Sequence, residues 1–234
     1  MVLLLNRCHA RLQSHHFDAA LADATAVIDM SLNKPPQKAL FRAARALYGL
    51  QRWTESLKYL TDLVVLNPNN AAARHDVARC RERLQEEAGE YDLKAMLQEA
   101  IAKAPSPDLD RANYVGPIEV RDCEIKSHGR GLFTTKAVKA GDLLLCEKAF
   151  AAIFVDPDQP VRTGKTIEES EEDIAWLSVD RKHQLVAKTL VKLHRNPSLQ
   201  AAFADLYPGP IWVDERDEET GQPIMDEYVV FSNL

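Results

Sequence analysis

The sequence has no long hydrophobic run. "MVLLL" at the N-terminus places only a few apolar residues ahead of Asn6 and Arg7, too few for the core of a secretory signal. No other stretch approaches the ~20 apolar residues of a membrane-spanning helix, so no membrane association is expected. Cysteine is scarce: Cys8, Cys80, Cys123 and Cys146 lie far apart with no C-x-x-C spacing. That pattern argues against a zinc knuckle or a disulfide frame and for reduced thiols inside a cell, in cytoplasm or nucleus. Positive charge is not in surplus either. The 29 Lys and Arg stand against 35 Asp and Glu, for a net charge of −6, so no direct nucleic-acid contact is expected, although a local basic patch remains compatible with it. His183 and His194 have no cysteine or carboxylate arrangement that points to a metal, and none is expected.

What is present is enough apolar residue for one large domain or two small ones: 234 residues, 46% of them hydrophobic. The first hundred residues repeat themselves. "HFDAALADATAVIDM" (His16 to Met30) and "RWTESLKYLTDLVVLNP" (Arg52 to Pro68) each open on an aromatic residue, Phe17 or Trp53. A small residue follows three positions later, Ala20 or Ser56, and apolar residues then recur at helical spacing. Each segment is preceded by another helical stretch, "LLLNRCHARL" or "QKALFRAARALYGL", with Cys8 or Ala44 where two helices must approach closely. The two units are offset by 36 residues, with "NKPP" (Asn33 to Pro36) as the turn between them, and "AAARHDVARCRERLQEEAGEYDLKAMLQEA" reads as a closing helix or pair. An unrelated array of helical hairpins has the same periodicity. The placement of small and aromatic residues, with Pro68 ending the second unit, resembles the tetratricopeptide repeat. A solenoid of this kind needs about three units to bury a continuous core. Two full units are visible, so a further repeat upstream is an expectation.

Asn6 and Arg42 hold the same position in successive units, and Lys38 lies one helical turn before Arg42. All three are expected on one face of the repeats. The set resembles the clamp with which some tetratricopeptide domains hold the acidic C-termini of heat-shock chaperones. The resemblance implies Asn6, Lys38 and Arg42 as peptide-binding residues, since a terminal carboxylate takes fixed charged donors. The family draws a further lysine and asparagine from a preceding repeat, absent from this chain. Solvated helix-surface charges account for the same residues.

"IAKAPSPDLDRANYVGP" carries three prolines, and a helix is not expected to pass Pro105. The expected organisation is a helical domain over 1–104, a linker over 105–114 and a second domain over 115–234. In that domain "GPIEVRDCEI", "RGLFTT" and "DLLLCEKAFAAIF" read as strands, with "KAVKAGD" turning between the last two and Gly141 free to take a positive φ. "HGRGLFTTKAVKAGDLLLCEKAF" together with the upstream repeats resembles the start of SET-domain protein lysine methyltransferases, in the SMYD-like and fungal branch that joins such a domain to tetratricopeptide repeats. The resemblance implies S-adenosylmethionine as cofactor, a lysine-containing protein such as a histone as substrate, and His128, Gly129, Arg130, Gly131 and Leu132 as the cofactor-binding segment. Glycines admit close backbone approach to a ligand; they also relieve strain where a strand begins.

Residues 155–234 are read as a helical insert within that domain. The acidic run Glu168 to Asp173 fits the first turn of a helix, and two helices are expected to break at Asn196-Pro197, with Asn196 as N-cap. The N-H-x-C-x-P-N-type segment and the later "GEEL…Y" segment of SET enzymes do not occur in these residues, so no catalytic residue is assigned. The expectation is an α+β chain: a helical repeat solenoid followed by the strand-rich front part of a SET domain, inactive by itself. The alternative is a non-catalytic adaptor that binds protein or peptide partners through the repeat face.

Overall fold

A computed structural model describes residues 1–31, 34–123, 129–154 and 171–205, with the backbone alone for 171–180. The chain is α+β and mostly helical. Five helices come first: α1 (Val2–Gln13), α2 (Phe17–Asp29), α3 (Gln37–Gly49), α4 (Trp53–Leu66) and α5 (Ala71–Glu87), each packed on the next. The close approaches fall at the small residues. Cys8 is fully buried and its thiol donates to the Ala20 carbonyl at 3.2 Å; one unit later the Ser56 hydroxyl donates to the Ala44 carbonyl at 2.8 Å. Cys80 on α5 continues the series at the same 36-residue step and donates to the Ser56 hydroxyl at 3.4 Å. Around these contacts Leu40, Leu60, Leu63 and Ala73 form one core, and Ala24, Ala43 and Ala46 a second. A fully buried leucine contributes on the order of 1.5–3 kcal/mol.

The helix ends have local causes. Asn70 accepts from the Ala73 amide at 3.0 Å at the start of α5, and Asp92 does the same for Ala95 at 2.9 Å at the start of α6 (Leu93–Ala102). α6 stops ahead of Pro105, as the sequence requires. Leu93, Leu97 and Ile101 form an exposed stripe along α6, at four-residue steps.

The stretch read as a linker is tied down. Glu86, on α5, accepts from Arg83 at 2.8 Å and from the Ala112 amide at 2.8 Å. Asp110 accepts from Tyr48 and from Arg79, each at 2.7 Å, and Arg83 donates to the Asp110 carbonyl. Arg111 reaches back to Glu99 on α6.

Beyond it the strands are short: β1 (Tyr114–Val115), β2 (Ile118–Asp122), β3 (Arg130–Thr134) and β4 (Leu145–Cys146). β2 and β3 pair antiparallel with Val120 opposite Leu132 and Arg121 opposite Gly131; β4 pairs antiparallel with β1. This corrects the expectation of a long third strand turning back on "RGLFTT". The strand is Leu145–Cys146 only, and the Gly116 amide bonds the Leu144 carbonyl at 2.9 Å to hold it against β1. The turn before it is tight, with the Asp142 carboxylate accepting from the Lys139 amide at 2.8 Å and Gly141 at φ +96°.

The chain then runs along α7 (Glu171–Arg195), whose Lys188 and Lys192 donate to the carbonyls of Ala152 and Phe150, each at 2.7 Å. A 3-10 turn (Pro197–Leu199) and α8 (Gln200–Ala204) follow. Val186, Leu193 and Phe203 form a small core that Phe150 joins. The helix break lies where expected, but Asn196 does not cap its own helix. Its side chain is turned toward the first repeat unit. Glu168 to Ser170 of the acidic run lie outside the described residues.

Candidate functional site

The helical units enclose a groove of about 510 Å³ between α1, α3 and α5. Its cations are Lys38, Arg42, Arg45 and Arg79, against Asp76 as the acid in the lining. Leu12, Phe17, Phe41 and Tyr48 supply apolar wall. Most of these side chains are already oriented by a neighbour. Arg45 lies over the Phe41 ring at 5.7 Å, and Arg79 over the Tyr48 ring at 4.4 Å. Arg79 also donates to Asp76 at 3.3 Å and to Asp110 at 2.7 Å. Burial pushes the Tyr48 hydroxyl well above its ordinary value, and its hydrogen bond to the Asp110 carboxylate adds to this. Burial by itself raises the Asp110 pKa, but the bonds it accepts from Arg79 and Tyr48 bring it below the usual carboxylate range.

Two of the three peptide-binding residues expected from sequence, Lys38 and Arg42, face this groove. Lys38 is exposed; Arg42 is half-buried and donates to the Leu5 carbonyl, which ties α3 to α1. Asn6 is exposed and is not among the lining residues. Arg45, Arg79 and His9 were missed. A signal for two of them was available, because His9 and Arg45 stand three residues after Asn6 and Arg42 and so share their helix face. Arg79 comes from α5, a helix that the sequence left as a closing element.

The segment expected to hold S-adenosylmethionine lies on the β2–β3 hairpin. His128 is outside the described residues. Gly129 sits at φ +63°, in the left-handed region, with open space where a Cβ would stand. Its carbonyl accepts from the Cys123 amide at 2.8 Å. At Gly131 the absent Cβ has an internal reason, since one there would come within 2.8 Å of the Cys123 sulfur and 3.0 Å of the Phe133 ring. Arg130 donates to the Asp205 carbonyl at 2.7 Å, which engages the guanidinium at the end of α8. Leu132 is exposed opposite Val120. Of this segment Gly129 leaves open space beside its backbone, Gly131 is filled from within, and Arg130 is engaged by Asp205. Among the described residues no group of three or more His, Cys, Asp or Glu is placed to hold a metal, and no helix is long and apolar enough to cross a membrane.

A relative from Gibberella zeae, named "Methyltransferase", is 36% identical over 227 residues. The match takes in 97% of this chain and 30% of that protein. This chain is similar to part of a methyltransferase. It spans less than a third of that relative's length, and the similarity runs through the repeat units, the connector and the strands alike. No protein-family model matches the chain, and no solved structure matches it.

Proposed function

We propose that the chain belongs to a SET-type, S-adenosylmethionine-dependent protein lysine methyltransferase, in which tetratricopeptide repeats recruit a protein partner. The observation that carries this reading is the similarity to the Gibberella zeae methyltransferase along nearly the whole chain. The G-R-G-L-F hairpin and the repeated helical units support the reading of a SET enzyme with repeats. Gly129 and the neighbouring backbone would approach the cofactor, which supplies the methyl group when bound. The N-H-x-C-type and tyrosine segments do not occur in these 234 residues, so turnover is assigned to the whole protein and partner recruitment to this part. The test is methyl transfer from radiolabelled S-adenosylmethionine to histones, with the whole protein beside the 234-residue chain. Label on lysine with the first and none with the second is expected; no label with either overturns the enzymatic reading.

The groove favours a second role, as an adaptor that takes an acidic peptide, such as a chaperone C-terminus. Four cations along one face, with aromatic walls, suit a segment of carboxylates. Lys38→Ala and Arg45→Ala are expected to weaken binding of such a peptide by roughly 1–3 kcal/mol each, the cost of a charged hydrogen bond. Amidating its C-terminus should weaken binding in the same direction. Calorimetry that gives equal affinity for acid and amide, and for variants and parent, overturns the terminal-carboxylate reading.

A further inference from the structure

The turn between α1 and α2 forms one end of the groove, and it is completed from far along the chain. The Asn196 side chain, 2% exposed, accepts from the Phe17 amide at 2.8 Å and donates to the His15 carbonyl at 3.0 Å. Beside it the Ser198 amide and hydroxyl both donate to the Asp18 carboxylate, at 2.9 and 2.8 Å. His15 is left-handed, at φ 59°, as is Gln51 at φ 61° in the equivalent turn one unit later, and each turn is closed by its own backbone bond, His16 amide to Arg11 carbonyl at 2.8 Å and Arg52 amide to Leu47 carbonyl at 2.9 Å. The His15 and Phe17 rings meet edge to face with centroids 5.5 Å apart, and both line the groove. The Phe17 ring occupies the slot left by Gly49, where a Cβ would lie 2.5 Å from it.

We propose that occupation of the groove and docking of the α7–α8 lobe on the His15–Asp18 turn stabilise each other, so that the lobe responds to a bound acidic segment. This rests on the reading of the groove as an acidic-peptide site. The lobe bonds the Phe17 amide, the His15 carbonyl and the Asp18 carboxylate, and so fastens the His15 and Phe17 wall before a ligand arrives. A ligand that contacts this wall binds the docked state more tightly, and by linkage it must favour docking by the same factor. The lobe in turn reaches the β2–β3 hairpin through Arg130 to Asp205, and the segment after β4 through Lys192 to Phe150. The coupling therefore joins the groove to the region of the Gly129 hairpin.

The probe is an acetylated hexapeptide of aspartate and glutamate with a free C-terminal carboxylate. Binding is followed by calorimetry to the parent chain, to Asn196→Ala and to Ser198→Ala. Amide hydrogen exchange is read at Phe17 and over residues 192–205, with and without peptide. Affinity is expected to fall about fivefold in Asn196→Ala, the lower range of allosteric couplings, and by less in Ser198→Ala. Bound peptide is expected to slow exchange at Phe17 and in the lobe. Unchanged affinity in both variants, with unchanged lobe exchange, overturns the coupling and leaves the groove reading standing. Absence of binding to the parent chain overturns the groove reading and this proposal with it. Should Asn196→Ala fail to fold, Ser198→Ala decides alone, because it removes an exposed bond and leaves no buried group unpaired.

Discussion

The helical units and the strand region meet the same physical requirement in different ways. In α1 to α5 most backbone bonds close within a helix or its turn and apolar side chains pack on the adjoining helices, so Leu47, Leu60 and Leu63 are at most 1% exposed. The hairpin of β2 and β3 has one partner strand on each side of its turn and open edges among the described residues, and its facing pair Val120 and Leu132 stays 62% and 57% exposed. A helix stack is self-sufficient after a few dozen residues. A sheet depends on what comes to lie across it.

Three measurements break or sharpen that contrast. The largest effect is expected where the regions join. Glu86→Ala removes the carboxylate nearest the buried Arg83, leaving it Asp110 at 3.3 Å and Glu82 at 3.5 Å, and leaves the Ala112 amide without an acceptor. Breaking such a buried pair costs about 3–5 kcal/mol, so urea unfolding should shift to lower concentration and trypsin should cut at Arg111 sooner. An unchanged cleavage rate would mean that the connector is held by other contacts.

Next comes the core itself. Leu60→Ala is expected to cost about 2–5 kcal/mol, whereas Leu132→Ala stays within about 0.5 kcal/mol, as an exposed substitution does. A similar cost for both in chemical denaturation would show the hairpin face covered in solution and erase the contrast.

The smallest effect is in acid. Burial alone raises the Asp23 pKa, but hydrogen bonds and charge from Arg7 and Arg11 bring it below its ordinary 3.8. A carboxylate with a depressed folded pKa stabilises fully above its unfolded value and loses that stabilisation as pH falls through the folded one. Melting temperature should therefore decline below about pH 4, and Asp23→Asn should remove part of the decline. A melt that stays flat from pH 5 to pH 2 would refute the assignment.

The helical half was legible because its determinants are local. Phe17 and Trp53 mark equivalent helix starts, Cys8 and Ala44 mark equivalent crossings, and Pro105 lies just past the end of α6. The groove was half legible, since Lys38 and Arg42 share a face by spacing, while Arg79 joins them only through the folding of α5. Strand pairing was misread. Leu145–Cys146 chooses Tyr114–Val115, some thirty positions away, over the adjacent "RGLFTT", and no residue in either segment announces that choice. Asn196 was placed correctly as the residue at a helix break, but its hydrogen bonds go to a turn at the other end of the chain. Capping propensity identifies the residue type without naming the helix it serves.

That long-distance cap has a consequence for synthesis. The Phe17 amide leaves the ribosome 179 residues ahead of the side chain that accepts its hydrogen bond. At about 5–20 residues per second, the first helical hairpin spends on the order of 10–40 s with that amide unpaired by Asn196 while the remainder is translated. During that interval the His15–Asp18 corner faces solvent without its distant partner, open to any chaperone that surveys nascent chains, and arrival of Asn196 ends that exposure.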